Sequence, residues 1–511
     1  MHRLRSPAHV LAVLAALLGV ATAPAAAARP NLVLILTDDQ RWDTLAAMPT
    51  VERELVARGV TFMNAFAVNP LCCPSRASFL TGRYSHSTGV YDNRAPHGGA
   101  SSFDDSSTLA TWLASAGYRT AYVGKYLNGY RYRVVPRGWD RWFGFNGGFF
   151  DYWLSVDGIA TFFGESAESY STDVLTHEAI SFIETTGDPF FLVYAPYAPH
   201  APATPAPRHE GAFARVPAWR PPSYDELDVA DKPGWLRGWP RLTDKDQAAG
   251  DALRRRQLAS LVAVDEGVSA ILASLRRSGR LENTVVVFAS DNGLLWGEHR
   301  QWNWKVSAFE ESIRIPLVVR YDALSSGGRR ASRLVANIDV APTLAELAGT
   351  AAPGAEGVSL VPLLSNPPAI PRRLRRRFLL VEHLRGRNHG TAEIPSYCAV
   401  RGTRFKYVVY STREEELYDL AADRFELENR ARDPGLRSTL FALRREVKRR
   451  CDPPPPGFGL GWLCTLEPGG AGRVLVGTKG MDTICGGPRA DRIRARAGDD
   501  VVRAGGGADV V

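Results

Sequence analysis

Cys72, Cys73, Pro74, Ser75 and Arg76 open the stretch of this chain richest in chemistry, which runs on through Ala77, Ser78, Phe79, Leu80, Thr81 and Gly82 to Arg83. Pro74 suits the first turn of a helix, where its missing N–H costs nothing. Cys72 then stands at the helix N-terminus, where unpaired N–H groups and the dipole favour an anion. Arg76 adds a permanent positive charge one turn further on. The physics describes a cysteine-centred anion site, although two adjacent cysteines taken alone read first as a disulfide or a buried thiol pair. Asp38, Lys125, His200 and Asp291 join it by position, since each stands just after a strand-like run. In open parallel sheets ligands collect outside the carboxyl ends of the strands. Four polar groups far apart in sequence are therefore expected in one pocket.

The elements that must position them follow from apolar periodicity. Asn31 to Leu36, Tyr118 to Val123, Phe190 to Tyr194 and Val285 to Ala289 read as strands. Val51 to Arg58, Ser107 to Ala116, Asp173 to Glu184 and Leu253 to Leu275 read as helices, with Gly59 and Gly117 placed to end the first two. Strands alternating with helices predict an α/β fold with a mostly parallel sheet covered by helices. Thr403 to Tyr410 and Leu436 to Val447 read as a strand and a helix of a smaller C-terminal α+β subdomain.

The segment Cys72-x-Pro74-Ser75-Arg76, followed by Leu80-Thr81-Gly82-Arg83, resembles the signature of the sulfatases. The remaining blocks of that family follow in order: Asp38-Asp39, Gly124-Lys125, Pro199-His200, Asp291-Asn292-Gly293, and Lys305 before Phe309-Glu310. The likeness spans roughly Pro30 to Arg430, and is strongest to N-acetylglucosamine-6-sulfatases and related glycan sulfatases. It implies an alkaline-phosphatase-like sandwich. It also implies that a formylglycine-generating enzyme oxidises Cys72, rather than Cys73, to the catalytic aldehyde. Asp38, Asp39, Asp291 and Asn292 would then form an oxygen-only shell suited to Ca²⁺, with the modified residue 72 as a further ligand. One hydroxyl of the hydrated aldehyde would attack sulfur, with Asp291 as base and Lys305 or His200 serving the leaving alcohol. The second hydroxyl would expel sulfate, while Arg76 and Lys125 neutralise the anion. Many relatives carry a histidine two residues beyond the lysine, where this chain has Leu127, and a tyrosine where it has Phe309. Phe149, Phe150, Asp151 and Tyr152 are expected near the pocket rim. The reading is a sulfatase acting on a sulfated small molecule or glycan. A phosphodiesterase or phosphonate monoester hydrolase on the same fold, and a catalytically silent calcium-stabilised carbohydrate binder, are the alternatives.

Composition bounds this reading. The chain has 511 residues, 45% hydrophobic and 23% charged, which excludes disorder throughout. Its 62 basic and 54 acidic residues leave a net +8, spread too thinly for a nucleic-acid footprint. The densest basic run, Arg372 to Arg377, reads as a solvated connector. His2, Arg3 and Arg5, the apolar run Val10 to Ala23 and the small residues Ala21 to Ala28 form a signal-peptide pattern. The apolar run is short for a bilayer span, so a secreted protein without stable membrane insertion is expected. In an exported chain Cys451 and Cys464 would close a small loop around Pro453 to Pro456, the pairing of Cys73, Cys398 and Cys485 being open. Boundaries are expected at 1–28 (signal peptide), 29–365 (catalytic domain), 366–450 (C-terminal subdomain), 451–472 (linker) and 473–511 (tail). The tail repeats every nine residues, with Asp482, Asp491, Asp500 and Asp509 at one position and Ile484, Ile493, Val502 and Val511 two further on. That resembles the calcium-binding nonapeptide of β-rolls, with Arg489, Ala495 and Arg496 replacing glycines; a flexible Gly-rich tail is the alternative.

Overall fold

In the strand Asn31–Thr37 every residue is buried. Leu32, Leu34 and Leu36 enter one core, Val33 and Ile35 another, as period-two geometry requires of a strand covered on both faces. The same division holds for Val285, Val287 and Ala289 against Val286 and Phe288. The computed structural model describes residues 29–325, 327–375, 378–386, 394–466, 474–477, 482–486, 492–504 and 510–511. The signal-peptide pattern therefore lies outside the described residues.

Ten strands form the main sheet, in the order Arg329–Ala336, Val60–Phe66, Leu317–Arg320, Thr284–Ser290, Asn31–Thr37, Phe190–Ala195, Arg119–Lys125, Arg141–Phe145, Tyr152–Val156 and Ile159–Phe163. The middle five, from Thr284–Ser290 to Arg141–Phe145, are parallel. Leu317–Arg320 and the last two strands run antiparallel to their neighbours. Helices Cys72–Thr81, Leu109–Ser115 and Val340–Leu347 cover one face. Ser171–Thr185 and Asp244–Arg277 cover the other. The result is a mostly parallel sheet between helical layers.

Two helices depart from expectation. Val51 to Arg58 holds a π-helical stretch, Val51–Val56. The long helix starts at Asp244 rather than Leu253, because Thr243 and Asp246 form a capping box. That helix is long and apolar enough by composition to cross a bilayer, yet 72% of its most apolar window is buried within the fold.

A four-stranded antiparallel sheet, Phe378–His383, Tyr397–Gly402, Phe405–Tyr410 and Glu415–Asp419, forms the smaller subdomain. One face (Leu379, Val381, Tyr397, Ala399, Val408) packs on Phe66, Leu71 and Ile313 of the larger one. The other (Leu380, Cys398, Val400, Tyr407, Val409) packs on helix Arg437–Arg450. This sandwich overturns the expected Cys451–Cys464 loop. Cys451 ends the helix opposite Cys398 and bonds to it, while Cys464 bonds to Cys485. Of the basic run, Arg372, Arg373 and Arg375 are exposed.

In the tail, Val474–Val476 pairs in parallel with Arg492–Arg494, and Thr483–Cys485 with Val501–Arg503. Each pair is two nonapeptides apart, and Leu475, Ile484 and Ile493 fill the space between. The Asp482 N–H donates to Asp500 Oδ1 at 2.9 Å. Asp491 and Asp509 lie outside the described residues.

Candidate active site

The four parallel strands Thr284–Ser290, Asn31–Thr37, Phe190–Ala195 and Arg119–Lys125 are consecutive in the sheet. Their carboxyl ends deliver Asp291-Asn292, Asp38-Asp39, His200 and Lys125 to one edge. Lys125 is the last residue of its strand, and Gly124 before it has φ +134°. A Cβ there would lie 2.0 Å from the Ala195 carbonyl oxygen, so only glycine lets these strand ends close. Cys72 begins helix Cys72–Thr81, with Leu71 as its extended N-cap. The helix ends at Gly82 in a left-handed C-cap. Cys72 and Cys73 are both free and buried, so neither forms a disulfide.

Cys72 Sγ lies 3.5 Å from Asp38 Oδ1, 4.0 Å from Asp39 Oδ1 and 2.8 Å from Lys305 Nζ. Lys305 Nζ also donates to Asp39 Oδ1 at 2.5 Å. Arg76, 1% exposed, donates through Nε to Asp291 Oδ2 at 2.8 Å and through Nη1 to the Lys125 carbonyl at 2.6 Å. Lys125 Nζ pairs with Asp38 Oδ2. His200 Nε2 faces Asp39 Oδ2 at 3.6 Å. All six expected catalytic residues and all four expected oxygen ligands meet here. The ligand atoms of Asp38, Asp39, Cys72 and His200 lie within 4.8 Å of one another.

Electrostatics follow from burial. Burial alone would raise the Asp38 carboxyl, but the permanent charges of Lys125 and Arg76 oppose it and hold it well below the usual range. Burial, and then Asp38, push the Cys72 thiol up to about 12. An unmodified Cys72 is thus a poor thiolate nucleophile at neutral pH. Burial lowers His200 despite Asp39 and Asp38. Its Nδ1 stands 2.6 Å from the Ala201 carbonyl, which can only accept, so Nδ1 carries the proton and a neutral ring leaves Nε2 as acceptor.

The donor set suits a hard cation. Asn292 Oδ1 is buried and accepts no hydrogen bond among the described residues, while Asn292 Nδ2 donates to Asp39 Oδ1 at 2.6 Å. An orphaned buried carbonyl beside three aspartates is costly without a positive partner. Asp291 is held differently. Its Oδ1 accepts from the Asp39 and Asn292 N–H groups at 3.0 and 2.9 Å, and its Oδ2 from Arg76. The carboxylates nearest the Cys72 sulfur are therefore Asp38 and Asp39 rather than the expected base Asp291.

Sequence reasoning missed several supports. Ser75 Oγ donates to the Asp291 carbonyl at 2.5 Å, and Asn337 Nδ2 donates to Ser75 Oγ at 2.9 Å. Asn93 Oδ1 accepts from Cys73 N at 2.9 Å. Tyr197 stacks on His200 with centroids 4.6 Å apart, and Lys125 Nζ lies 5.3 Å from the Tyr197 ring centroid. Asn93, Tyr197 and Asn337 stand in no motif, and Ser75, although inside one, carries no sequence signal for its distant partners. Phe149, expected at the rim, packs behind Tyr197 at 5.2 Å. Leu127 is wholly buried in the main core, and Phe309 is buried against His299.

Residues 30–350 match the sulfatase family, residues 297–452 the C-terminal region of N-sulphoglucosamine sulphohydrolase, and residues 476–511 the RTX calcium-binding nonapeptide repeat. The chain is 34% identical over 383 residues to human N-acetylglucosamine-6-sulfatase, covering 70% of this chain and 68% of that one. It is 33% identical over 351 residues to the extracellular sulfatase SULF-1 homolog of Drosophila melanogaster, covering 66% of this chain but only 31% of that longer protein. The solved structure of BT4656 in complex with its substrate D-glucosamine-2-N,6-O-disulfate superposes with a TM-score of 0.75 at 26% identity, covering 84% of this chain and 100% of that one. With the family match extending over more than half of its length, and with that fold and edge-of-sheet cluster, the chain belongs to the sulfatase family.

Proposed function

We propose that this protein hydrolyses sulfate esters of a sulfated sugar, with residue 72 as formylglycine and Ca²⁺ held by Asp38, Asp39, Asp291 and Asn292. The observation that carries the reading is the position of Cys72. It stands at a helix N-terminus, its sulfur 2.8 Å from Lys305 Nζ, with Arg76 and Lys125 buried around the neighbouring carboxylates. Two similar proteins, human N-acetylglucosamine-6-sulfatase and the glucosamine-disulfate complex, support an amino sugar sulfate as the substrate class.

Bound calcium would withdraw charge from the sulfate and favour the ionised hydrate of residue 72. The chain's own groups do the rest. Arg76 and Lys125 hold the carboxylate frame and balance the incoming anion. Lys305 Nζ, beside residue 72, is placed to donate to the leaving oxygen. His200 Nε2, unprotonated and facing the cluster, takes the proton of the second hydroxyl as sulfate departs. Asp291 positions Arg76 and the Asp39 and Asn292 backbone. Cys72 is 1% exposed, so its oxidation by a formylglycine-generating enzyme precedes closure of the fold. Export through the N-terminal leader and ion binding by the tail belong to the same proposal.

The test has two parts. Peptide mass spectrometry of active protein should find formylglycine at position 72 and a thiol at 73. Turnover should be measured on glucosamine 6-sulfate, a phosphodiester and a phosphonate monoester. Preference for the sulfate supports the reading, and full activity with an unmodified Cys72 thiol refutes it. Preference for either phosphorus ester moves the protein to the related hydrolases, and no turnover of any ester by formylglycine-bearing protein would leave a carbohydrate binder.

A further inference from the structure

Beneath the join of the two subdomains lies a second group of metal-ligating side chains that the sulfatase chemistry does not use. His299, Glu311 and Glu426 are all buried, and one ligand atom from each lies within 4.8 Å of the others. His299 belongs to the turn after strand Leu295–Trp296. Glu311 lies in the short helix Glu310–Ile313, and Glu426 in the smaller subdomain beyond Glu415–Asp419. An acidic cluster alone implies nothing, but here two ligand atoms are orphaned. His299 Nε2 and Glu311 Oε2 are buried and take part in no hydrogen bond among the described residues, while Glu426 Oε1 meets only the Lys406 ammonium.

The histidine is also oriented. Its Nδ1 lies 2.6 Å from Glu226 Oε2, an acceptor that fixes the proton on Nδ1 and leaves the unpartnered Nε2 with a lone pair to offer a cation. Phe309 stacks on the ring at 3.6 Å and locks its plane. A carboxylate holding the far nitrogen of an imidazole is the usual outer-shell support of a metal-bound histidine. Cations account for part of the cluster only. Lys232 Nζ stands 3.2 Å from Glu226 Oε1, and Lys406 pairs with Glu426 Oε1 and donates to the Ala308 carbonyl. Glu311 forms no ion pair with a lysine or arginine among the described residues, and Arg41 acts on its buried carboxylate only from beyond ion-pair distance.

We propose that His299, Glu311 and Glu426 bind a first-row divalent cation, with zinc as the fitting probe, separate from the catalytic calcium. One imidazole nitrogen and two carboxylates suit Zn²⁺ better than Ca²⁺, which prefers oxygen throughout. The ion ties the smaller subdomain, through Glu426, to the segment between Asn292 and Lys305 that contains His299. Its role is structural, since none of the three ligands contacts Cys72.

Calcium-saturated full-length protein, stripped of transition metals, should be titrated with Zn²⁺ and, in parallel, with Co²⁺. Wild type should take up one equivalent and melt at higher temperature with zinc. The cobalt form should show d–d absorption without a thiolate charge-transfer band. Glu311→Gln, nearly isosteric and without charge, should lose that equivalent and the melting shift while keeping its circular dichroism and calcium. Because a variant can fail to fold, wild-type stoichiometry is decisive by itself. Absence of a zinc equivalent, a thiolate band that places cobalt at Cys72, or equal uptake by a folded Glu311→Gln would each overturn the proposal.

Discussion

Lys305→Ala should separate sugar sulfates from activated aryl sulfates. Lys305 Nζ lies 2.8 Å from Cys72 Sγ and 2.5 Å from Asp39 Oδ1, with its side chain 12% exposed. Burial opposes its charge, but Asp39 and Cys72 outweigh that and raise its pKa well above the usual value. It is therefore a charged donor across the working pH range. A sugar alkoxide is far more basic than that ammonium group and gains fully from the proton, whereas a nitrophenolate leaves almost unaided. General-acid assistance is worth about 10²–10⁴-fold, or about 3–5 kcal/mol of barrier at 1.4 kcal/mol per decade. The turnover number on glucosamine 6-sulfate should fall by about that factor, and on nitrophenyl sulfate by about tenfold or less. Asp39 Oδ1 keeps its bond from Asn292 Nδ2 at 2.6 Å, so calcium content should persist and serves as the control. Equal losses on both substrates, with calcium retained, would refute the donor role and leave Lys305 a merely electrostatic neighbour.

Asp291→Ala frees the Asp39 and Asn292 backbone and leaves Arg76 Nε without its carboxylate; calcium, read by elemental analysis, and turnover should disappear together, and retention of both would show the aspartate misassigned. Removing residues 473–511 together with Cys464→Ser, needed because Cys464 would lose Cys485, should leave the turnover number within about twofold, a surface-type effect. In the full chain millimolar calcium should slow hydrogen exchange across 474–504, and an unchanged pattern would count against the β-roll. His86, its side chain 7% exposed, has Nδ1 3.1 Å from Glu382 Oε2 and Nε2 3.5 Å from Glu356 Oε1. Burial opposes its charge, but hydrogen bonds to Glu356 and Glu382 raise its pKa to about 10. A raised histidine stabilises fully below its unfolded value, about 6.5, and loses that contribution as pH rises through 10. The melting temperature should fall more steeply from pH 6.5 to 10 in wild type than in His86→Gln, and parallel profiles would sink the assignment.

The sequence alone determined the alternation of strands and helices, because apolar periodicity is a local property that survives tertiary packing. It also marked Asp38, Lys125, His200 and Asp291 as neighbours, since a parallel sheet aligns its strand ends whatever the loops between them do. The cysteine motif was legible for a similar reason: a proline in the first helical turn and an arginine one turn on define a local geometry. Pairings across the chain were not legible. Cys398 meets Cys451 only because the small sheet packs one face on helix Arg437–Arg450, and no spacing rule encodes that. Asp291 as the anchor of Arg76, Ser75 bridging to Asn337, and Tyr197 stacked on His200 are likewise long-range or orientational facts. The His299, Glu311 and Glu426 cluster is the clearest case, since its ligands span the 128 positions from 299 to 426 and two subdomains. Side-chain direction and burial decide such sites, and both are properties of the closed tertiary structure.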